Sequence, residues 1–528
     1  VLGQSDAAIT GEVTTSGQID LFELSGYIVG DNASLTMASD YIRQLGDITA
    51  ENGISITDNK TGLVVAGNLV ADNDAAGITL TTGTSGITLS RYSAGSAAAP
   101  TDTRLSSSLG SSMLAGGAGV EMISNQDLRL NGSIETTGGV ELRASRLYSL
   151  TDPSTFAETG KILLNGDITS GEGGLGLNAG YNILQNEGLS DGQAAGVITT
   201  TGAVYGLNAS GEATQNVSNL AARKQISLDG DNHIAALGAF FLGKIEGDSP
   251  AGGDFIVNDV SGGLALTGSI TNQYQNVTIS TAGGQLDLAT HSVTAGNLDV
   301  YGKNIILTGR GITQDSSAPG ILSVNGTTVN RGGNIELIGH DGSRDVDDNL
   351  VAEGAGDITL YGTLQTQNDG SEAIIIRGAK DVVLPNVQIL HDGVIKGRLS
   401  LGTGTELDQL ISGNISQGAG TAIQVADLKV AAGGSVVLTS SDNSIEELVS
   451  GLSGDNAGLD FDFDLYDKTG GLRVAGDVQS AGGVRIATFV DPDNAATLIL
   501  DDNDILANGD IALLGKGVTQ TTNGVIDA

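Results

Sequence analysis

The sequence predicts an all-β chain wound as a right-handed parallel β-helix. Three observations lead there: an excess of glycine, a short phrase that recurs along the chain, and a near-constant distance between every second copy of that phrase. Gly accounts for 80 of 528 residues, about twice the usual share. Trp and Cys are absent, and there are only 8 Phe and 10 Tyr. A thick core needs large side chains. Leu, Ile, Val and Ala suit a thin core of stacked layers. The hydrophobic fraction of 39% is too high for a disordered chain.

The recurring phrase is a Gly, often a second small or polar residue, then apolar–x–apolar. It occurs as GDITA from Gly46, GITL from Gly77 and again from Gly86, and GVEL from Gly139. Later come GGLAL from Gly262, GNIEL from Gly333, GDITL from Gly356, GGVRI from Gly482 and GDIAL from Gly509. Alternation over three to five residues is a short strand with one face buried. Gly, Asn and Asp on either side supply tight corners.

Spacing says how the strands are joined. Leu266, Ile279, Leu288, Val300 and Leu307 each close a phrase. Alternate members are separated by 22 (266 to 288), 21 (279 to 300) and 19 (288 to 307) residues. A hairpin meander would show longer, even strands on two-residue turns. An irregular coil of two or three short strands gives the observed pattern, each strand pairing in parallel with its equivalent one coil on. At roughly 22 residues per coil the chain makes about 24 coils (roughly 20–25), and a rod near 115 Å at about 4.8 Å per coil. Asn131, Asn165, Asn208, Asn297, Asn304 and Asn334 fall at corners, where Asn tolerates left-handed backbone and bonds its own main chain.

Residues 1–528 read as one continuous β-helix, a segment of a longer protein, since the chain starts at Val1 and stops in the repeat-like GVIDA. Several stretches break the rhythm and are expected to leave the coil as loops or short helices: 91–117 with Pro100, 145–160 with Tyr148, Pro153 and Phe156, 237–262 with Phe240, Phe241 and Pro250, and the acidic 340–355 and 441–468. Short helices are expected at 38–45, 217–224 and 444–450. Loops of this kind carry function more often than the scaffold does.

The formal net charge is −38. Phosphate binding needs clustered Lys and Arg, so nucleic acid is excluded as a partner, and anionic membrane surfaces are disfavoured. The absence of Cys removes disulfides, zinc thiolates and Cys nucleophiles together. No run of about 18 apolar residues predicts a membrane span, and no signal peptide is visible.

His233, His291, His340 and His391 stand far apart, and none sits in a zinc-protease motif. No Walker loop occurs. Parallel β-helices also house polysaccharide lyases and hydrolases, which need convergent carboxylates on one face. The acids here are dispersed, so the reading is of a protein that is not an enzyme. Two clusters offer hard oxygen ligands for Ca²⁺: Asp341, Asp345, Asp347 and Asp348 in HDGSRDVDDN, and Asp491, Asp493, Asp501, Asp502 and Asp504 around ATLIL. The competing and weightier reading is a solvated acidic loop in each case. No cofactor is required.

The phrase NHIAALGAF from Asn232 is followed by GGDFIVNDVSGGLALTGSIT up to Thr271, then NVTISTAGGQLDLA, GNLDVYGKNIILTGRGITQ and GILSVNG, and the theme returns in GDIALLGKGVTQTTNGVIDA. This text resembles the passenger repeats of filamentous-haemagglutinin-like exoproteins and autotransporter adhesins, most closely over 226–330. The resemblance implies a right-handed parallel β-helix secreted to, or displayed on, the surface of a Gram-negative bacterium. It implies a role in adhesion, biofilm or matrix, with surface glycans, surface proteins or further copies of itself as partners. The NPNG or NPNL phrases of that family's secretion domain, and its outer-membrane barrel, are not found in these 528 residues. The shared motif is structural, so it transfers no site residue. An adhesin stalk is therefore the first functional reading. A fibre or sheath subunit stacked end to end is the second, because the end of a β-coil exposes unpaired strand edges.

Overall fold

A computed structural model describes residues 11–21, 27–28, 35–45, 48–50, 52–60, 63–65, 68–71, 77–83, 86–89, 92–93, 105–106, 113–116, 119–144, 160–187, 189, 195–207, 222, 225–243, 253–273, 275–296, 303–324, 333–345, 349–404, 406–454, 461–468, 471–488, 496–521 and 523–528. They form two compact units, 1–260 with 267–269, and 261–266 with 270–528. Both are parallel β-helices in which most strands pair with the third strand after them, and longer strands that turn a corner with the second. The only helical turn among the described residues is the 3-10 turn Ala352–Gly354.

In the first unit, Gly119–Ser124 pairs with Gly139–Ala144, which pairs with Leu175–Ala179. Leu128–Leu130, Ile162–Leu164 and Asn182–Gln185 make a second ladder. Ser133–Glu135, Ile168–Ser170 and the first half of Ile198–Gly206 make a third. Registers put like on like, so inward side chains stack. One stack runs Leu35, Ile54, Ile78, Val120, Val140, Leu175, Val204, and none of its members is more than 2% exposed. Each such burial contributes about 1.5–3 kcal/mol. Six coil steps cover the 169 residues from Leu35 to Val204, about 28 per coil.

The second unit repeats the arrangement. Its stack runs Leu264, Leu286, Ile312, Ile358, Val382, Ile415, Val436, Phe463, Val484, Ile511. Nine steps span 247 residues, about 27 per coil. The coil is thus longer than the phrase spacing predicts. Leu264 and Leu286 do pair at the expected 22 residues, but Ile279 pairs with Leu307, 28 residues on. The period is blurred because corners, not strands, absorb extra residues.

Glycine is demanded in two ways. Gly119 has φ +130°, and a Cβ there would also press on the Gly139 carbonyl. At Gly333 a Cβ would run into the Lys303 carbonyl of the adjoining coil.

Several expected excursions are instead strands. Residues 38–45 and 444–450 are not helices but lie in Leu35–Leu45 and Ser444–Ser453. Ile445 and Leu448 are both buried three residues apart, which resembles helical spacing. The cause is a strand that turns a corner, so that the inward position slips by one. Phe240 and Phe241 belong to the buried strand Phe240–Leu242, and the Phe240 ring packs 5.4 Å from that of Phe255. In 441–468, Phe463–Asp467 is also a strand. Of 217–224 only Ala222 is described, bridged to Leu242. Residues 145–159, 244–252 and 455–460, with Pro100, Pro153 and Pro250, lie outside the described residues. Within 91–117, Tyr92–Ser93 pairs with Leu105–Ser106 and 113–116 is a strand.

Candidate functional site

Two hairpins depart from the parallel ladders of the second unit. The first begins where the strand Ile335–Ile338 ends. Residues 340–345 run antiparallel to 349–355, bridged at His340–Ala355 and Arg344–Leu350. Backbone bonds Asp341 N–H to Gly354 O (3.0 Å), Val351 N–H to Ser343 O (3.1 Å) and Asp345 N–H to Asn349 O (2.8 Å) zip the stem. The second hairpin pairs Asn386–His391 with Val394–Ile395 across Asp392 and Gly393. Both turn residues have positive φ, 52° and 73°, as a two-residue hairpin turn requires. Val394 at its tip is 52% exposed.

The first hairpin is fastened to the coil by Asp341, whose side chain is fully buried. Its Oδ2 accepts from Arg310 Nε at 2.9 Å and from the Gly283 N–H at 2.9 Å. Its Oδ1 accepts from the Ser343 N–H at 2.9 Å and from Ser343 Oγ at 2.5 Å. Burial by itself would raise the carboxyl, but the bonds from Ser343 and Arg310 outweigh it and hold Asp341 below the usual carboxylate range. His340 is buried beside it. Gly342 N–H donates to Nδ1 (2.9 Å) and Nε2 lies 2.8 Å from the Val351 carbonyl, which places the proton on Nε2.

Of the acids considered for Ca²⁺, Asp341, Asp345, Asp501 and Asp504 are engaged within the protein. Asp345 accepts from Asn349 N–H at 2.9 Å. Asp501 accepts from Thr521 Oγ1 and from Arg473, which lower its carboxyl, and Asp504 accepts the Val525 N–H. Among the described residues no group of three or more His, Asp or Glu side chains could hold a metal ion. Asp347, Asp348, Asp491 and Asp493 lie outside the described residues.

On the sheet faces, stacked carboxylates are interleaved with arginine. Arg143 pairs with Glu121 and stands 3.6 Å from Glu141. Burial and the neighbouring Glu121 raise Glu141, with Arg143 opposing, and burial together with Glu141 raises the Tyr205 hydroxyl. Arg377 bridges Glu336 (2.7 Å) and Asp408 (3.5 Å), and Arg473 bridges Glu447 and Asp501. Asp464 is raised by burial and by Asp462, and Arg485, stacked 5.2 Å from the Tyr466 ring, opposes this. These groups hold like charges together across the roughly 4.8 Å coil step.

Corners are joined by side chains that reach the next coil. Asn276 Oδ1 accepts the Asn304 N–H (2.8 Å), Asn304 Oδ1 accepts the Asn334 N–H (2.9 Å), and Asn368 Nδ2 donates to Asn334 Oδ1 (2.5 Å). Asn165 Nδ2 donates to Asn131 Oδ1 (3.2 Å). None of Asn131, Asn165, Asn304 and Asn334 has positive φ. They serve the neighbouring coil rather than a left-handed turn of their own. Asn208 and Asn297 lie outside the described residues.

No protein-family model, no curated protein and no solved structure matches the chain. No helix of the described residues is long and apolar enough to cross a membrane.

Proposed function

We propose that this chain is the non-catalytic β-helix stalk of an extracellular bacterial surface adhesin, holding recognition surfaces on a stiff parallel ladder. The observation that carries this reading is the buried Asp341 carboxylate, which with Arg310 ties the antiparallel stem 340–345 and 349–355 to a scaffold otherwise devoted to coil stacking. A rigid support with local excursions is how binding loops are commonly presented. The proposed partners are glycans or proteins of a host or neighbouring cell.

The test is to display the chain on a non-adherent Gram-negative host and count cells retained on epithelial monolayers and in biofilm. Attachment above an empty-display control is expected, and it should fall when residues 343–351 are replaced by a short turn. Equal retention with and without a folded, displayed chain would overturn the reading.

A further inference from the structure

The second unit carries one sheet face unlike the other two. Successive outward positions on it run from Thr271 through Thr294 and Ser323 to Gln365, Gln388 and Gln424, and end at Ser444. A parallel column beside it places Ile321 on Thr363 and Thr363 on Asn386. Neither column contains an ionisable side chain. The other faces do: Thr278, Ile306, Glu336 and Ile375 are successive on one, and Val437, Asp464 and Arg485 on another. In a chain of net charge −38, a charge-free band across seven coils stands apart from its surroundings.

Its chemistry is specific. Among the described residues, the amides of Gln365, Gln388 and Gln424 take no protein partner. They project outward from adjacent coils about 4.8 Å apart. Each offers one acceptor and two donors to whatever lies on the face. Two exposed apolar groups stand at the margin of the face: Ile321, 45% exposed and paired with Thr363, and Tyr361, 40% exposed, at the corner two residues ahead of Thr363. Amides and hydroxyls repeated along a line, with a ring and an aliphatic chain at its margin, match the hydroxyls and C–H faces of a sugar polymer. The repeat is comparable with the advance per residue of an extended pyranose chain. An acidic polymer would be repelled by the surrounding charge, whereas an uncharged one would not.

We infer that this face is a binding surface for a neutral polysaccharide lying along the coil axis, across Gln365, Gln388 and Gln424 and against Tyr361. The inference rests on the surface-binding reading above and names its ligand class.

Isothermal titration with cellohexaose and chitohexaose, and with polygalacturonate as the acidic control, tests it on the full chain. Saturable binding of at least one neutral oligomer is expected, with an affinity that added salt leaves unchanged. Polygalacturonate should not bind. Tyr361→Ala and the pair Gln365→Ala with Gln388→Ala should each weaken binding by about tenfold or more. Gln388→Glu should do the same without removing side-chain volume. Thr359→Ala, on another face, should have no effect. These side chains point outward, and circular dichroism of each variant confirms that the ladder persists. Absence of saturable binding to both neutral oligomers, or undiminished affinity in the Gln variants, would overturn the inference. If cell attachment survives in the Gln variants while oligomer binding was never present, the glycan face fails and the adhesin reading stands. If attachment is also absent in the parent chain, the adhesin reading fails too.

Discussion

Gln417 and Asn443 exchange two hydrogen bonds inside the second unit, Gln417 Nε2 to Asn443 Oδ1 at 2.7 Å and Asn443 Nδ2 to Gln417 Oε1 at 3.1 Å. In the first unit Gln185 and Asn232 do the same, at 2.7 and 3.0 Å. The surroundings match as well. Each Asn Oδ1 accepts a strand N–H, from Ile423 or Ile198, at 2.9 Å. Each Asn Nδ2 reaches carbonyls on two coils, Leu438 and Tyr466 or Leu228 and Asn258. An Asp one coil on, Asp467 or Asp259, accepts the N–H of Ile445 or Ile234. The chain thus has a repeated device for satisfying backbone groups where a strand turns a buried corner.

Asn443→Ala follows directly. It orphans the Ile423 N–H, removes the bonds to the Leu438 and Tyr466 carbonyls, and takes one partner from each polar atom of Gln417, which keeps only the Thr421 carbonyl and the Ser440 N–H. Each buried group left without a partner costs about 1–3 kcal/mol. The expected loss is at least about 3 kcal/mol, read from the urea midpoint of the unfolding transition. Asn443→Asp should cost no less, because a carboxylate cannot donate to those carbonyls. A loss below about 1 kcal/mol for either would show that the corner is wet and the network incidental.

Asp341→Asn should free the hairpin 340–355 while leaving the ladders intact. The amide keeps an acceptor for Arg310 or for Ser343 but loses the charge on which both sets of bonds rely, a cost of about 1.5–3 kcal/mol. The pH dependence has a definite sign. The folded carboxyl titrates below its unfolded value, so its stabilising contribution is complete above the ordinary aspartate range. It disappears as pH falls through that range and below it. Protection of the amides in residues 341–345 and 349–355, taken relative to the intrinsic exchange rate at each pH, should fall on acidification in the parent chain and be low at neutral pH in the variant. Exchange that is slow in the variant at neutral pH would show that the stem bonds suffice.

How far the sequence revealed all this depends on how local each signal is. Ile358, Leu360 and their counterparts in other coils alternate inward within one phrase, so the strand and its buried face are legible from five residues. The coil length is not, because the span from Leu322 to its partner Leu364 includes the whole 340–355 hairpin. Asp341 was legible as a notable acid, but as one facing solvent or a cation. Its partner Arg310 lies 31 residues earlier, with nothing between to join them. Gln185 and Asn232 are 47 residues apart and look like ordinary outward polar residues within strands. The clue that could have found them is a shared phrase: Asn182-Ile-Leu-Gln185 beside Asn414-Ile-Ser-Gln417, and Phe255-x-Val-x-Asp259 beside Phe463-x-Leu-x-Asp467.

Ile358→Asp tests the inward stack. Ile358 is fully buried between Ile312 and Val382. A carboxylate there loses about 1.5–3 kcal/mol of apolar burial and adds the desolvation of a charge. Each coil contacts chiefly its neighbours, so the damage should stay local. Hydrogen exchange should quicken in residues 312–313 and 382–384 and remain slow at 463–467. Uniform quickening through the unit would mean that it unfolds as one cooperative block.

Arg143→Met tests the idea that arginine restrains stacked carboxylates. Glu141 is raised by burial and by Glu121, and Arg143 is what opposes them. Removing the guanidinium while keeping its apolar stem should raise Glu141 further, seen as an upward move of its titration in carboxyl-carbon NMR. A carboxyl held above its unfolded value binds protons more readily in the folded chain. Its contribution is therefore intact below the ordinary glutamate range and is lost as pH rises through the raised value. The variant should accordingly lose stability relative to the parent at neutral pH and recover most of the difference on mild acidification. A deficit that is the same at both pH values would place the cost in packing of the Arg143 stem rather than in charge.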